Sequence, residues 1–294
     1  MLSSVKALLS SVVDYAGLFP PAKLNMGEAM ANYARYQTAP YSWMLGHFVL
    51  PASRLSEFEA LLPTLPLVEG KTRQWSLSVI VSGNWESEIE RVRSHNHSKL
   101  SIAALEFPPL PPPEIKRILP HLPAKVDSFF EIPLTGDMEA YLTLLQGTGA
   151  SAKIRTGGIT AEAFPNSTQL YPFIAACAAA KVPFKATAGL HHPLPGNYRL
   201  TYEPDSPSAT MHGFLNVALS AALIYWQKIT QEEALTVLNQ SSSDEFQFKE
   251  DGINWSACNL NLREIEEVRQ RFFRSFGSCS FEEPINDLKE LNLL

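Results

Sequence analysis

The sequence predicts an α/β fold, a (β/α)8 barrel of the TIM type with a carboxyl-terminal extension. Short apolar runs alternate with helix-like segments, which is typical of parallel βαβ units. The length of 294 residues suits one such barrel. Two of the apolar runs also carry a lysine. Because a strand buried on both faces is normally apolar throughout, we expect these lysines to point into the lumen near the carboxyl-end mouth.

Seven apolar runs are candidates for barrel strands, and the first of them is compatible with a loop as well. They are residues 12–18, 43–51, 75–81, 101–107, 128–133, 152–156 and 182–188. The segment EFQFKE, residues 245–250, is the candidate for the eighth strand. The Asp251-Gly252 turn that follows it is more typical of a hairpin than of a βα loop, which leaves this assignment open.

The segments between the predicted strands have features of helices, as in residues 85–96, 211–226 and 231–239. A charged helix is predicted over residues 262–275. We expect residues 256–294 to form a helical extension that packs over the barrel. The whole chain, residues 1–294, is therefore expected to be a single domain.

Composition and charge exclude some classes of function. Hydrophobic residues make up 45% of the chain and charged residues 18%, which provides for a large core and argues against disorder. The net charge is -6 and the 24 basic residues are scattered, so no nucleic-acid partner is expected. The three cysteines show neither CxxC nor zinc-ligand spacing, so we expect no disulfide framework and no structural zinc site.

Nothing in the sequence predicts a membrane partner. The amino-terminal segment is a poor signal peptide, because serines break its apolar run and Asp14 follows it. The longest apolar run, residues 213–226, contains Asn216 and Ser220 and is too short to span a bilayer. We therefore expect a cytoplasmic protein, and the sequence leaves a homo-oligomer open.

Lys153 and Lys185, the lysines in apolar runs, are the leading candidates for catalysis. Side chains alternate along a strand, so Lys153 shares a face with Arg155, and Lys185 shares a face with Thr187. If the two strands are neighbours, burial and mutual repulsion are expected to lower the pKa of each lysine. A lysine that is neutral near pH 7 can act as a Schiff-base nucleophile or a general base. The alternative is a lysine that only forms a buried ion pair.

Carboxylates occur where this hypothesis needs them. Glu106 ends the fourth predicted strand, Glu131 lies in the fifth and Asp14 in the first. Because charges in apolar strands are rarely unpaired, we expect Glu106 or Glu131 to meet one of the lumen cations. In the functional interpretation, one of these two glutamates is a catalytic proton shuttle with a raised pKa. In the other interpretation both are counter-ions.

Histidines follow the seventh predicted strand, in a loop region that often binds anions in such barrels. His191 and His192 come first, and His212 opens the next helical segment. Because neighbouring side chains point apart, we expect at most one of the adjacent pair to face a substrate. The residues predicted to bind substrate are Asp14, Arg155, Thr187, His191, His192 and His212.

Other segments are expected at the mouth because of their positions. They are AGLFPPAK (residues 16–23) and the proline-rich segment 108–113, which is a rigid loop beside Glu106. Cys279 is a further candidate, although a free buried thiol is the commoner outcome for such a residue. A metal site made by Glu131 and the histidines is an alternative use of the same residues. No HxH or HExxH spacing supports it, so we expect neither a metal nor another cofactor.

Two segments, AKIRTGG (residues 152–158) and FKATAGL (residues 184–190), resemble strand-end motifs of class I aldolases of the deoxyribose-phosphate aldolase type. In that family a lysine on strand six forms the Schiff base and a lysine on strand seven tunes it. The resemblance thus implies that Lys153 is the Schiff-base lysine and Lys185 its neighbour. The sequence departs from the family at Arg155, where a small hydroxyl residue is usual, and at Glu106, which replaces an aspartate. TAGLHHP also replaces a Gly-Gly phosphate loop.

A second resemblance covers more of the chain. With AGLFPPA, KATAGLHHP and GSCSFEEP, the sequence is similar to an uncharacterised group of bacterial barrel proteins. This resemblance supports the fold and implies no activity.

The leading functional hypothesis is an aldolase- or lyase-like enzyme. Its substrate would be a small compound with a carbonyl group and an anionic phosphate or carboxylate. One alternative is a metal-assisted hydrolase or isomerase that uses Glu131 and the histidines. The other is a non-catalytic barrel that binds a small anion at the same mouth.

Overall fold

The computed structural model of the protein describes residues 1–64, 74–94 and 100–294. Its strands are β1 (Val13–Tyr15), β2 (Leu45–Pro51), β3 (Trp75–Ile80), β4 (Leu100–Phe107), β5 (Asp127–Glu131), β6 (Ser151–Arg155), β7 (Phe184–Thr187), β8 (Gly196–Arg199), β9 (Ser208–Met211), β10 (Gln247–Phe248), β11 (Gly252–Trp255), β12 (Cys258–Asn261) and β13 (Phe273–Ser278). Its α-helices are α1 (Ser3–Leu9), α2 (Met26–Tyr36), α3 (Leu55–Leu61), α4 (Trp85–Ser94), α5 (Pro112–Ile118), α6 (Met138–Leu145), α7 (Ser167–Ala180), α8 (Phe214–Tyr225), α9 (Gln231–Asn239), α10 (Leu262–Arg271) and α11 (Glu282–Glu290).

Eight parallel strands close into a barrel. Strands β1 to β7 pair in sequence order, and β13 completes the circle between β7 and β1. The predicted (β/α)8 barrel is therefore confirmed. Each of the seven predicted strands overlaps one of β1 to β7, since the alternation of buried runs with helices identified them correctly.

The prediction of the eighth strand is wrong. Residues 245–250 contain β10, which pairs antiparallel with β11 in a three-stranded sheet outside the barrel. The expected hairpin at Asp251-Gly252 joins these two strands. The barrel is closed instead by β13, whose first residues fall within the predicted helix 262–275. That helix, α10, ends at Arg271, and the chain enters β13 two residues later.

The carboxyl-terminal segment is part of the barrel architecture. Residues 256–294 were expected to be a helical extension, yet they contain β12 and the closing strand β13. The last helix, α11, follows β13 as a barrel helix follows its strand, and it buries Ile285 and Leu288 in the main core. This segment therefore closes the barrel.

Local sequence explains where several helices begin. A capping box, in which the side chains of the N-cap and N3 residues each accept a backbone hydrogen bond, opens four helices. The pairs are Asn25 with Glu28 in α2, Asn166 with Gln169 in α7, Thr230 with Glu233 in α9, and Asn261 with Glu264 in α10. The predicted helix 231–239 matches α9 at both ends.

Two other predicted helices differ from the observed ones at their ends. The predicted helix 211–226 starts only at Phe214, because Met211 belongs to β9 and Gly213 is the N-cap. The predicted helix 85–96 is observed as α4 up to Ser94, and its last two positions lie outside the described residues. Across residues 1–64, 74–94 and 100–294, no helix combines the length and apolarity needed to cross a membrane.

Phe276 tests the closing role of β13. Its side chain is fully buried and stacks on Phe214 with the ring centroids 5.0 Å apart. We expect Phe276→Ala to lower the free energy of unfolding by about 3–5 kcal/mol, because it leaves a cavity between β13 and α8. Urea denaturation followed by circular dichroism measures this loss.

Phe248→Ala is the matched control, since Phe248 is only partly buried and lies in the sheet outside the barrel. We expect it to cost less than half as much. An equal loss at the two positions would contradict the greater importance of β13.

Candidate active site

Register places charged side chains of three neighbouring strands side by side. In the β5–β6 ladder Glu131 pairs with Lys153, and in the β6–β7 ladder Lys153 pairs with Lys185. Arg155 lies two residues further along β6, opposite Thr187. The expected meeting of the two lysines on adjacent strands is therefore confirmed.

Lys185 is enclosed by carboxylates. Its side chain is 1% exposed, and its Nζ lies 2.6 Å from Oδ2 of Asp14 and 2.7 Å from Oε1 of Glu106. Burial lowers the pKa of Lys185, but the attraction of both carboxylates outweighs burial and holds that pKa above its usual value. The expected lowering of the Lys185 pKa is wrong, because its nearest charges are anions.

The carboxylates of Glu106 and Asp14 are equally well held. Burial raises the pKa of each, yet Lys185 beside both of them, and Lys153 beside Glu106, bring both pKa values below their usual range. Ser78 donates a hydrogen bond to Glu106, and Ser275 donates one to Asp14. The raised pKa expected of a proton shuttle is therefore wrong for Glu106, which stays ionised.

Lys153 lies between two carboxylates at the floor of a cavity. Its Nζ is 3.3 Å from Oε2 of Glu106 and 3.3 Å from Oε2 of Glu131. Each carboxylate has a second cation closer by, since Lys185 approaches Glu106 to 2.7 Å and Arg155 approaches Glu131 to 2.9 Å. Lys153 is therefore held less tightly than Lys185. It also borders open space, although its side chain is only 4% exposed.

These side chains form one chain of ion pairs. It runs through Asp14, Lys185, Glu106, Lys153, Glu131 and Arg155, with neighbours of opposite charge. Its carboxylates and cations are equal in number. A buried charge without a partner destabilises a fold. The loss of any inner member of the ion chain is therefore expected to lower the free energy of unfolding. The expected pairing of Glu106 and Glu131 with lumen cations is thus observed for both.

A cavity of about 700 Å³, the mouth cavity, opens over this chain at the carboxyl end of the barrel. Glu106, Glu131, Lys153 and Arg155 line its charged side. The segments 16–23 and 108–113 contribute as expected, through Ala16, Phe19, Pro20, Pro21, Pro108 and Pro109. Cys279 also borders the cavity as a free, buried thiol.

The hairpin of β8 and β9 covers this cavity. It is inserted between β7 and α8, and its ladder pairs Tyr198 with Ala209 and Gly196 with Met211 on one face. Tyr198, Ala209 and Met211 pack with two further residues into a small apolar cluster that is separate from the main core. We call this cluster the roof; its members are Phe164, Tyr198, Leu200, Ala209 and Met211. All of them except Ala209 line the mouth cavity.

Both adjacent histidines border the mouth cavity, as does Thr187. The Nδ1 of His191 lies 3.2 Å from Oε2 of Glu283, and that of His192 lies 2.6 Å from Oδ2 of Asp287. The expectation that only one of the pair faces the site is wrong, because carboxylates one turn apart on α11 orient both rings.

Two residues expected at the mouth lie elsewhere. Asp14 is at the inner end of the ion chain and borders a second cavity at the opposite end of the barrel. His212 is buried, with Nε2 2.8 Å from the carbonyl oxygen of Pro165, and burial lowers its pKa. Neither side chain lines the mouth cavity, so neither is placed to touch a ligand bound there.

The hypothetical metal site is not assembled. Glu131 is bound to Arg155 and Lys153, whereas His212 faces a backbone carbonyl. Within the part of the chain that the structure describes, no group of three or more His, Cys, Asp and Glu side chains is arranged to hold a metal ion.

Sequence reasoning missed the hairpin and its contributions to the site. The missed residues include the roof and Tyr202, whose hydroxyl lies 3.3 Å from Glu283 and 3.5 Å from the thiol of Cys279. The available signal was the alternation of side chains in residues 196–199 and 208–211. Each strand has only four residues, so this alternation resembled a polar loop.

No protein-family model, curated protein or solved structure matches the chain. The resemblance of residues 152–158 and 184–190 to class I aldolases therefore stays a prediction. The barrel, the ion chain and the mouth cavity are features of the structure itself.

The ion chain predicts a large cost for the loss of Glu106. We expect Glu106→Gln to destabilise the fold by about 3–5 kcal/mol, because Lys185 and Lys153 stay buried without their shared carboxylate. Urea denaturation measures the change. Glu86→Gln is the control, since Glu86 pairs with Arg117 on the surface with both side chains more than half exposed; we expect it to cost less than about 1 kcal/mol. Similar losses in the two variants would contradict this role of Glu106.

The same carboxylates predict a dependence of stability on pH. Their folded pKa values are lowered, so their contribution is complete above about pH 5 and is lost as the pH falls through the folded values. The pKa of Lys185 is raised, so its contribution is complete at neutral pH and is lost only in strong alkali. We expect the free energy of unfolding to fall from about pH 5 to pH 2, and to fall less in Glu106→Gln. If the free energy of unfolding falls equally with pH in Glu106→Gln and in the original protein, Glu106 does not titrate in this way.

Proposed function

We propose that the protein is a lysine-dependent enzyme, aldolase- or lyase-like, that acts on a small anionic carbonyl compound at the mouth of the barrel. The observation that carries the proposal is the position of Lys153, a buried amine that borders a cavity of about 700 Å³ between two carboxylates. Active sites of TIM-type barrels lie at this end. The resemblance of two strand-end motifs to class I aldolases supports the same lysine.

The step assigned to Lys153 is formation of a Schiff base. Glu131 takes a proton from the ammonium group, and the free amine attacks the carbonyl carbon. A second proton passes from nitrogen to oxygen, Glu131 returns the first, and the oxygen leaves as water. In sum, an ammonium ion and a carbonyl compound give a protonated iminium ion and one water molecule.

The ion chain suits this step because the total charge does not change. The iminium ion carries the same charge as the ammonium ion that it replaces, so the carboxylates beside it remain balanced. Glu106, whose pKa is held low, stays ionised and stabilises the iminium, while Lys185 keeps Glu106 in place. The iminium withdraws electrons from the neighbouring carbon, which lets a C–H or C–C bond there break.

Borohydride trapping tests the proposal. Borohydride reduces an iminium to a stable secondary amine, so protein incubated with a reactive oxo acid or aldehyde should gain the mass of the reduced adduct. We expect peptide mass spectrometry to find it on Lys153 and to find none in Lys153→Met. Lys116→Met, which removes an exposed lysine on α5, should label like the original protein.

Other results would decide against the proposal. Equal labelling of Lys153→Met and the original protein would show that the adduct forms elsewhere. Failure of every aldehyde and oxo acid to label Lys153 would remove the Schiff-base mechanism. Tight binding of an anionic carbonyl compound without any adduct or turnover would favour the non-catalytic anion-binding barrel.

A further inference from the structure

The positions of Lys153 and Arg155 limit the shape of a ligand that uses both. Oε2 of Glu131 is 3.3 Å from Nζ of Lys153, and Oε1 of the same carboxylate is 2.9 Å from Nε of Arg155. A single carboxylate therefore reaches both cations. A substrate whose carbonyl carbon reacts at Lys153 and whose anionic group binds Arg155 can therefore carry the two groups close together. A carboxylate bonded directly to the carbonyl carbon satisfies this condition.

Arg155 keeps donors for such a carboxylate. Its side chain is 52% exposed, and it binds Glu131 through Nε and Nη2. Its Nη1 has no hydrogen bond to any residue that the structure describes. A guanidinium offers five N–H groups and binds carboxylates with two at a time. Arg155 can therefore hold Glu131 on one edge and a ligand carboxylate on another.

Part of the lining of the mouth cavity is apolar, although His191, His192, Arg199, Thr201 and Glu283 also border it. The roof presents Phe164, Tyr198, Leu200 and Met211 to the cavity. Additional apolar residues line its walls: Phe19, Val49, Ile80 and Ile159. A sugar hydroxyl that lies against these apolar side chains is left without a hydrogen bond, which is unfavourable. An aromatic or alkyl group gains from the same surface.

The rim continues this apolar surface into solvent. Among the described residues, the large hydrophobic side chains that stand exposed are Met1, Ile159 and Tyr202, and the last two border the mouth cavity at 52% and 56% exposure. Exposed apolar surface beside a cavity is typical of a ligand-binding groove. The cavity volume of about 700 Å³ also lies in the range of ~300–1,000 Å³ found for drug-sized ligands. A three-carbon oxo acid would fill only a small part of it.

We infer that the site takes a 2-oxo acid whose oxo carbon carries, besides the carboxylate, a large apolar group. This group contains a phenyl ring or an alkyl chain of similar size. This inference rests on the proposed function for the role of Lys153. The oxo carbon lies at Lys153, the carboxylate binds Arg155, and the apolar group lies under the roof and against Ile159.

Trapping with matched compounds tests the substrate class. The probes are phenylpyruvate, 2-oxooctanoate, pyruvate, glyceraldehyde 3-phosphate and phenylacetone, in which a methyl group replaces the carboxylate of phenylpyruvate. The measured quantity is the concentration that half-saturates borohydride labelling of Lys153. We expect it to be at least about tenfold lower for phenylpyruvate and 2-oxooctanoate than for pyruvate, since an apolar pocket gains about that much from added carbons. Phenylacetone should half-saturate labelling only at a higher concentration than phenylpyruvate does.

Variants assign these preferences to residues. Ile159→Ser changes an exposed side chain and should raise the half-saturating concentration of phenylpyruvate about threefold or more, and that of pyruvate by a smaller factor. In Arg155→Met, the half-saturating concentrations of phenylpyruvate and phenylacetone should become similar. Thr210→Ser is the control, since Thr210 lies on the outer face of the hairpin and should change neither value.

Binding of phenyllactate and lactate by calorimetry separates the two proposals, because these alcohols cannot form a Schiff base. If no oxo acid labels Lys153 but phenyllactate binds more tightly than lactate in an Arg155-dependent way, the ligand class is supported and the Schiff-base function fails. If pyruvate or glyceraldehyde 3-phosphate labels Lys153 as readily as phenylpyruvate, the ligand class is overturned and the Schiff-base function stands.

Discussion

The ammonium group of Lys185 lies between the carboxylates of Asp14 and Glu106, and the interior of the barrel depends on this contact. The three side chains come from β7, β1 and β4, so one cation joins strands that are not neighbours in the barrel. Because each charge is almost fully buried, none of the three can be removed without leaving a partner in a medium that solvates it poorly. The same contact keeps Glu106 ionised beside Lys153. Structural support of the barrel and the placement of Lys153 are therefore supplied by one group of ions.

The lysines could be found from the sequence because they break a rule, namely that doubly buried strands are apolar. Their pairing on adjacent strands followed from the order of the elements. The charge state of Lys185 did not, because it depends on Asp14 and Glu106, which lie across the lumen and far along the chain. A local pattern shows that a charged side chain needs a partner and cannot show how many partners it meets. The raised pKa of Lys185 is a property of the closed barrel.

The last strand was missed for a related reason. β13 carries Ser275, which binds Asp14, and Gly277, which lies between Asp14 and Thr187 in the ladders, so its sequence lacks a continuous apolar run. It also follows α10 almost without a turn. The segment 245–250 has the alternation of a strand and does contain one, but in a peripheral hairpin. Propensity identifies extended backbone; the choice of partner strand is made by packing across the whole domain.

The roof belongs to a single hairpin and its neighbouring loop, and it shares no member with the main core. The barrel therefore owes little of its stability to the residues of the roof. Substitutions in the roof can change the size and shape of the enclosed space while the ions below stay in register. An engineer or natural selection can in this way exchange one insertion for another without rebuilding the barrel. The fold separates the buried ions, on which folding depends, from a peripheral insertion.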